Sequence, residues 1–465
     1  MLEATCTQEE KTIMARKDAD MTRGDIWRHF LSFSVPLAIG LLFQQLYNTV
    51  DSVVVGQYVG QEALAAVGST GSIINMLIAL CNGLSMGAGV LISQCYGAHD
   101  GKRLHTAVQT TVTVAFLLCI AATAVGLALV RPMLRMMQTP DNVFQESEQY
   151  LTLYFCGISG LLLYNVGSAI LRAVGDSRRP LFFLVFSALT NTVLDLVFVV
   201  KFGMGVRGVA LATVIAQGLS AALVFIALTR EKGDYGIRWR HLGISKPELK
   251  SVFAMGAPAG IQQALTSFSN VFVQSYINAF GSACMAGWNG YNKLDAFLTV
   301  PVMAIAQAST TFVGQNWGAD QPHRARKGVR FALIAALCCM AALAVLLMCF
   351  ARPLMHLFSP DQEVIDFGVR FIYIITPFYV TICFNQIYAG ALRGIGNART
   401  PMLIMLGSFV VFRQLYLLVS SWLGWDFVGV ALAYPMGWVL CSTLLTISYH
   451  RSELFHYKRN VPDAA

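Results

Sequence analysis

Apolar runs of about 20 residues recur along the chain, separated by short polar segments that carry lysine and arginine; 112–130 and 331–350 are two of them. A helix needs roughly 20 apolar residues to cross the hydrocarbon of a bilayer. Period-two alternation is absent, which argues against a membrane β-barrel. The pattern predicts twelve spans: 30–56, 64–95, 106–130, 147–171, 181–201, 208–229, 251–278, 285–316, 328–350, 364–391, 402–423 and 428–449. The expected fold class is an all-α polytopic membrane protein.

Composition agrees. Of 465 residues, 56% are hydrophobic and 12% charged, about half the ~25% charged residues of a soluble chain. Residues 1–28 are charged and hold no apolar core, so the first span is expected to act as the insertion signal. The eleven cysteines lie mostly inside apolar runs and form no CxxC, so they read as reduced, buried apolar residues. The net charge of +8 resides in loops and records topology rather than a nucleic-acid partner. Nearly all of it falls in one set of loops, including Lys102, Arg103, Arg178, Arg179, Arg324, Arg326, Arg393 and Arg399, together with both tails. The positive-inside rule then makes both termini cytoplasmic.

The two halves repeat at an offset of about 221 residues. Residues 171–180 read LRAVGDSRRP and 392–401 read LRGIGNARTP, while 208–212 and 429–433 are both GVALA. At the same offset Gln94 meets Gln315, and Arg131-Pro132 meets Arg352-Pro353; Pro36 and Asn48 meet Pro258 and Asn270 with a one-residue slip. Six spans per repeat insert both halves the same way round, as pseudo-symmetric six-helix lobes with a site expected at their interface. The organisation predicted is a tail at 1–28, an N-lobe at 29–229, a linker at 230–249, a C-lobe at 250–450 and a tail at 451–465.

Motifs of soluble enzymes dissolve in this context. Residues 203–208 fit GxGxxG but join two spans without a βαβ unit, so they read as a tight turn. Residues 97–102 fall one short of a phosphate-binding loop, and the eight histidines show no metal-ligand spacing. No catalytic constellation or cofactor motif emerges, and an enzyme is not expected.

Polar residues inside the spans carry the functional expectation. A carboxylate at that depth costs roughly 2.5–3.5 kcal/mol on insertion scales and marks a functional site by default. Gln44, Asn48 and Asp51 share one helical face of span 1, with Tyr47 beside them; Asn191 and Asp195 share one of span 5, and Thr213 and Gln217 one of span 6. Asp195 meets Tyr416 in the second half, and Asp51 meets Val273, so this acidic chemistry is confined to the first half. Asp51, Asn191, Asp195 and Thr213 suit a Na⁺ site as hard oxygen ligands, or a proton site through raised carboxyl affinity. Pro36 is either a hinge below that site or a helix-entry proline. Lys293 and Asp295 in span 8 are a second coupling site, cavity lining or structural pairs; Arg413 is similar, with Asp295 a candidate partner.

The helix with Pro36, Asn48-Thr-Val-Asp51 and Gly56, the pair 94–98 QCYGA and 315–319 QNWGA, and the doubled LRxxG loops resemble the multidrug and toxic compound extrusion (MATE) family over residues 25–450. The resemblance implies two six-helix lobes around a central cavity and antiport of small organic, often cationic or amphipathic compounds against Na⁺ or H⁺. Asp51, Asn191, Asp195 and Thr213 match the first-lobe cation positions of its DinF-like branch, while the acidic second-lobe site of the NorM-like branch is not evident. Alternative readings are a lipid-linked glycan flippase of related fold and a membrane receptor or scaffold without transport. A chain that already holds both lobes is expected to be a monomer in the cell (inner or plasma) membrane.

Overall fold

A computed structural model describes residues 20–54, 58, 78–79, 82–136, 139, 141–424 and 426–456, and these are almost wholly helical. In chain order the helices are α1 (Ile26–Val54), α2 (described over 82–97), α3 (Gly101–Met136), α4 (Asp141–Ala173), α5 (Arg178–Lys201), α6 (Gly205–Arg230) and α7 (Lys246–Asn278). Then follow α8 (Ser282–Gly318), α9 (Pro322–Cys349), α10 (Gln362–Gly394), α11 (Arg399–Trp422) and α12 (Phe427–His456). Ten of them are long and apolar enough to cross a membrane. Leu117, Ile120, Phe182, Phe186, Leu189 and Trp422 are exposed on their outer faces, the arrangement expected where lipid rather than water is the solvent. Cys156, Cys338 and Cys349 are exposed in the same way, so the expectation that the cysteines are buried holds only for some of them; Cys95, Cys119, Cys284, Cys383 and Cys441 are buried.

The sequence repeat reappears in the backbone. Left-handed conformations occur at His99 (φ 54°) and Asp320 (φ 58°), at Gly175 (φ 92°) and Gly396 (φ 92°), and at Gly203 (φ 63°) and Gly424 (φ 65°), each pair one repeat apart. At Gly175 and Gly396 the missing Cβ lets the chain end one helix and turn into the next. The next residue then caps that helix: Asp176 Oδ1 accepts from the Arg178 and Arg179 amides at 3.0 and 3.1 Å, and Asn397 Oδ1 accepts from the Thr400 amide at 3.1 Å. Gly203 and Gly205 (φ 57°) both adopt left-handed backbone in the short connection to α6, so the GxGxxG segment is a turn.

Among the described residues, three helices contain π-helical or 3₁₀ stretches. α5 continues past Asp195 as a π-helical stretch, Leu196–Lys201, and α11 contains one at Gly407–Phe412, just before Arg413. α10 passes through a 3₁₀ turn at Thr376–Phe378, where Pro377 removes a backbone donor. Widened turns such as the two π-helical stretches are found at functional sites, and here each adjoins a buried charged side chain.

Contacts divide the chain into two compact units, one drawn from Val35–Tyr96 and Asp100–Ala264, the other from Met1–Ser34, Gly97–His99 and Leu265–Ala465. Within the first, α4 packs on α6 closely enough that a Cβ on Gly160 would lie 2.8 Å from the Gly218 nitrogen. The segment after α6 is tied down through Arg179, which bonds Asp176, Glu231 and Tyr235. Within the second, the chain before α1 is held by side chains of α8 and α9: the Met21 amide donates to Gln315 Oε1 at 2.9 Å. The Met21 carbonyl accepts from Asn316 Nδ2 at 3.2 Å and from Arg324 Nη2 at 3.1 Å. The Phe30 ring of α1 packs at a tilt against Phe312 and Phe331, with centroids 5.2 and 5.4 Å away. The boundary between the units therefore crosses α1 between Ser34 and Val35, one residue before Pro36.

Candidate functional site

In the unit that contains them, α5 and α6 turn their polar residues toward each other. Ser187 Oγ donates to the Ala216 carbonyl at 2.6 Å and fixes the rotational phase of the pair. With that phase set, Asn191 (1% exposed), Asp195 (0%) and Thr213 (4%) are all buried. Thr213 donates its hydroxyl proton to the Val209 carbonyl at 3.0 Å, which leaves the oxygen lone pairs facing outward from its own helix. Both polar atoms of the Asn191 amide are buried without a hydrogen-bond partner. Leaving such a group unsatisfied costs about 1–3 kcal/mol, a cost that a water or an ion at the amide would relieve.

Asn191 and Thr213 line a cavity of about 40 Å³ together with Gln44 and Tyr47 of α1, Gln217 of α6 and residues of α4. Gln217 is hydrogen-bonded to the buried Tyr154. Asp195 lies one turn beyond Asn191 and does not itself line the cavity. The side chains of Asp51 and Asn48 lie outside the described residues, although α1 runs through both positions. Pro36 is inside α1 and half-buried. Sequence reasoning had missed Tyr164, Asn165, Ser187 and Ser220 in the cavity wall. The signal was present: Ser187 precedes Asn191 by four residues and Ser220 follows Gln217 by three, so each extends a polar face already recognised.

Lys293 and Asp295 are not brought to this cavity; they belong to the other unit. Lys293 is exposed, and Asp295 accepts a hydrogen bond from the Tyr379 hydroxyl at 2.6 Å. Asp295, the candidate partner for Arg413, is not the one the fold supplies: among the described residues the two are not an ion pair. Arg413 (3% exposed) donates to Ser269 Oγ and Asn270 Oδ1, both at 2.8 Å, and lies 4.8 Å above the Tyr434 ring. Neutral oxygens and an aromatic face hold this buried guanidinium in place of a carboxylate.

Comparison with known proteins adds the following. The family described as MatE matches residues 36–197 and 258–416, one stretch in each repeat. Two proteins of Bacillus subtilis (strain 168), named probable multidrug resistance proteins YpnP and YoeA, are 29% and 28% identical to the chain. They cover 94% and 96% of it, and the matched segments are 98% and 97% of their own lengths. A solved structure described as the outward-facing conformation of a multidrug resistance MATE family transporter of the MOP superfamily superposes with a TM-score of 0.89. It is 23% identical and covers 95% of this chain and 99% of its own, a likeness of fold.

Proposed function

The chain belongs to the MatE family of multi-pass membrane transporters, and from that premise we propose that it exports small organic molecules in exchange for Na⁺ or H⁺. Asp51, Asn191, Asp195 and Thr213 are the groups assigned to the coupling ion. The observation that carries this reading is the buried Asn191 amide, left without a partner on the face that also presents Asp195 and across from Thr213. A Na⁺ ion at the carboxylate takes up the amide and hydroxyl oxygens directly. A proton instead neutralises Asp195, and an ordered water satisfies the amide. Both outcomes relieve the same burial cost.

The substrates proposed are cationic or amphipathic drug-like compounds, the chemistry named for the Bacillus relatives being multidrug resistance. Transport proceeds by alternating access of the two repeats, 29–229 and 250–450, joined by the cytoplasmic linker 230–249, with both tails cytoplasmic in the plasma or inner membrane and the protein a monomer. Ion binding straightens or bends α1 at Pro36. There the ring removes one backbone hydrogen bond, and the Ser34 hydroxyl already bonds back to the Phe30 carbonyl at 2.6 Å. Exchange works only if ion and substrate favour different states or compete for one.

Purified protein in liposomes, assayed for dye movement under imposed Na⁺ or H⁺ gradients, tests the proposal and identifies the ion. Asp51→Asn and Asp195→Asn are expected to abolish gradient-driven movement while leaving insertion intact. Wild-type protein that moves a lipid-linked glycan instead of dyes supports the flippase reading. Dye movement indifferent to both gradients overturns antiport.

A further inference from the structure

The charged residues inside spans 1 and 5 of the first repeat are the carboxylates Asp51 and Asp195. Inside spans 8 and 11 of the second repeat the balance reverses, with Lys293 and Arg413 against Asp295. Two of these three are answered within the fold. Arg413 is held by Ser269, Asn270 and the Tyr434 ring, and Asp295 accepts from the hydroxyls of Tyr379 and Tyr291. Lys293 is exposed and has no hydrogen-bond or ion-pair partner among the described residues. A separation of two on a helix turns it away from Asp295.

The face of α8 that bears Lys293 differs from the outer faces of other spans. Asn289, Lys293 and Gln307 are all exposed and fall within one narrow stripe of the helix. Exposed stretches of α3 and α11 are instead apolar, as at Leu117, Ile120, Leu415 and Leu418. A charged group within a span faces water or the protein interior, not hydrocarbon, and two amides beside an ammonium make the α8 stripe a hydrated one. An ammonium is a compact charge with three donors and no acceptor, so the group that suits it is an anionic oxygen. A carboxylate there forms a charge-assisted hydrogen bond, roughly twice as strong as a neutral one, whereas a cationic group is repelled.

We propose that Lys293, with Asn289 on the same stripe, recognises a carboxylate on the exported molecule, so that the substrates are amphipaths bearing an acid group. This rests on the reading that the chain exports small organic molecules and names their chemistry more closely. Lys293 decides which molecules bind and takes no part in binding the coupling ion, so its effect is read from binding without any gradient.

The test uses the full-length protein in phosphatidylcholine nanodiscs and one rhodamine dye in two forms, the cationic ethyl ester and the free acid, with binding followed by fluorescence anisotropy. The free acid is expected to bind the wild type more tightly than the ester; equal affinity, or a preference for the ester, overturns the proposal without any variant. Lys293→Gln is expected to weaken the free acid about tenfold, the scale of one charge-assisted hydrogen bond, and to leave the ester unchanged, while Lys293→Arg keeps the preference. Equal loss for both dyes overturns it. So does no loss for either, the outcome for a lysine that only reaches for the membrane surface. The preference is expected to persist in phosphatidylglycerol nanodiscs; its disappearance there assigns the ammonium to a lipid headgroup and overturns substrate recognition. Free-acid preference in a protein that shows no gradient-driven movement in liposomes supports this site and sinks only antiport. Gradient-driven export without that preference does the reverse.

Discussion

The two halves of the chain use one backbone plan for opposite interiors. In the first half, α5 and α6 carry Asn191, Asp195, Thr213 and Gln217; one repeat later the same register holds Phe412, Tyr416, Tyr434 and Trp438. Asn191, Thr213 and Gln217 of the first set line a small cavity. Within the second half, Arg413 spans Ser269 and Asn270 and packs on Tyr434, and the rings of Tyr434, Trp438, Trp288 and Tyr379 fill the space. Turn chemistry copies the backbone, since a left-handed glycine and a capping Asp or Asn act on their own neighbours. Interior side chains answer to packing, so a small polar residue on one side and an aromatic one on the other are both compatible with the same helix path. What the difference teaches is that a doubled backbone need not enclose a doubled interior: a small cavity beside polar side chains on one side, packed rings and a hydrogen-bonded guanidinium on the other.

That contrast can be broken most directly at the carboxylates. Asp195→Asn is expected to reduce gradient-driven dye efflux to the protein-free background, with the helical circular dichroism unchanged. Retention of coupling would remove the functional half of the contrast. The next largest effect is expected from Arg413→Met, which deletes two hydrogen bonds and a cation–π contact in the second half and leaves Ser269 and Asn270 without that donor. A loss of about 2–4 kcal/mol in stability is expected, read as a lower thermal midpoint in lipid or detergent, with first-half ion binding unaltered.

A smaller effect sharpens the packing side of the comparison. Gly160 and Gly218 bring α4 and α6 together in the first half, whereas the same register in the second half holds Thr381 and Val439. Gly160→Ala forces backbone apart and is expected to cost about 1–3 kcal/mol and to change the cavity that Asn191 and Thr213 line. Thr381→Ala one repeat later is expected to be milder, since it removes volume instead of adding it beside backbone; thermal unfolding of the two variants compares them. The smallest effect is at the paired caps. Asp176→Ala and Asn397→Ala each remove a side-chain acceptor for first-turn amides, a capping interaction worth about 1 kcal/mol. Asp176 also pairs with Arg179, so its variant is expected to be the more destabilised, and equal losses would show that pair to contribute nothing.

Much of the molecule is legible in its sequence. Twelve spans are read from hydrophobic length, of which ten appear among the described residues as helices long and apolar enough to cross a membrane, and the repeat follows from short motifs whose glycines and caps then appear in pairs. Asn191, Thr213 and Gln217 are recognisable because polar residues at helical spacing inside an apolar run are costly in lipid unless they share a purpose. The partners of Asp295 are harder to find, although Tyr291 stands four residues before it; a tyrosine in a membrane helix is common enough that spacing alone does not distinguish it. For Arg413 the sequence offers Asp295 as one possible partner on opposite charge alone, while the fold supplies Ser269, Asn270 and the Tyr434 ring at close range.

By itself the sequence determined the span lengths, the doubling of the chain, the turns between helices and the confinement of Asp195 to one half. Each of these depends on transfer from water to lipid or on backbone preferences within a few residues, and both are properties of a local stretch. Only the tertiary structure decided that Asn191 faces the Thr213 cavity without a partner, that Asp295 is served by two phenols, and that Arg413 is satisfied without a carboxylate. Those outcomes depend on the rotation of each helix about its axis, which is set by how neighbouring helices pack, through contacts such as that of Ser187 with the Ala216 carbonyl.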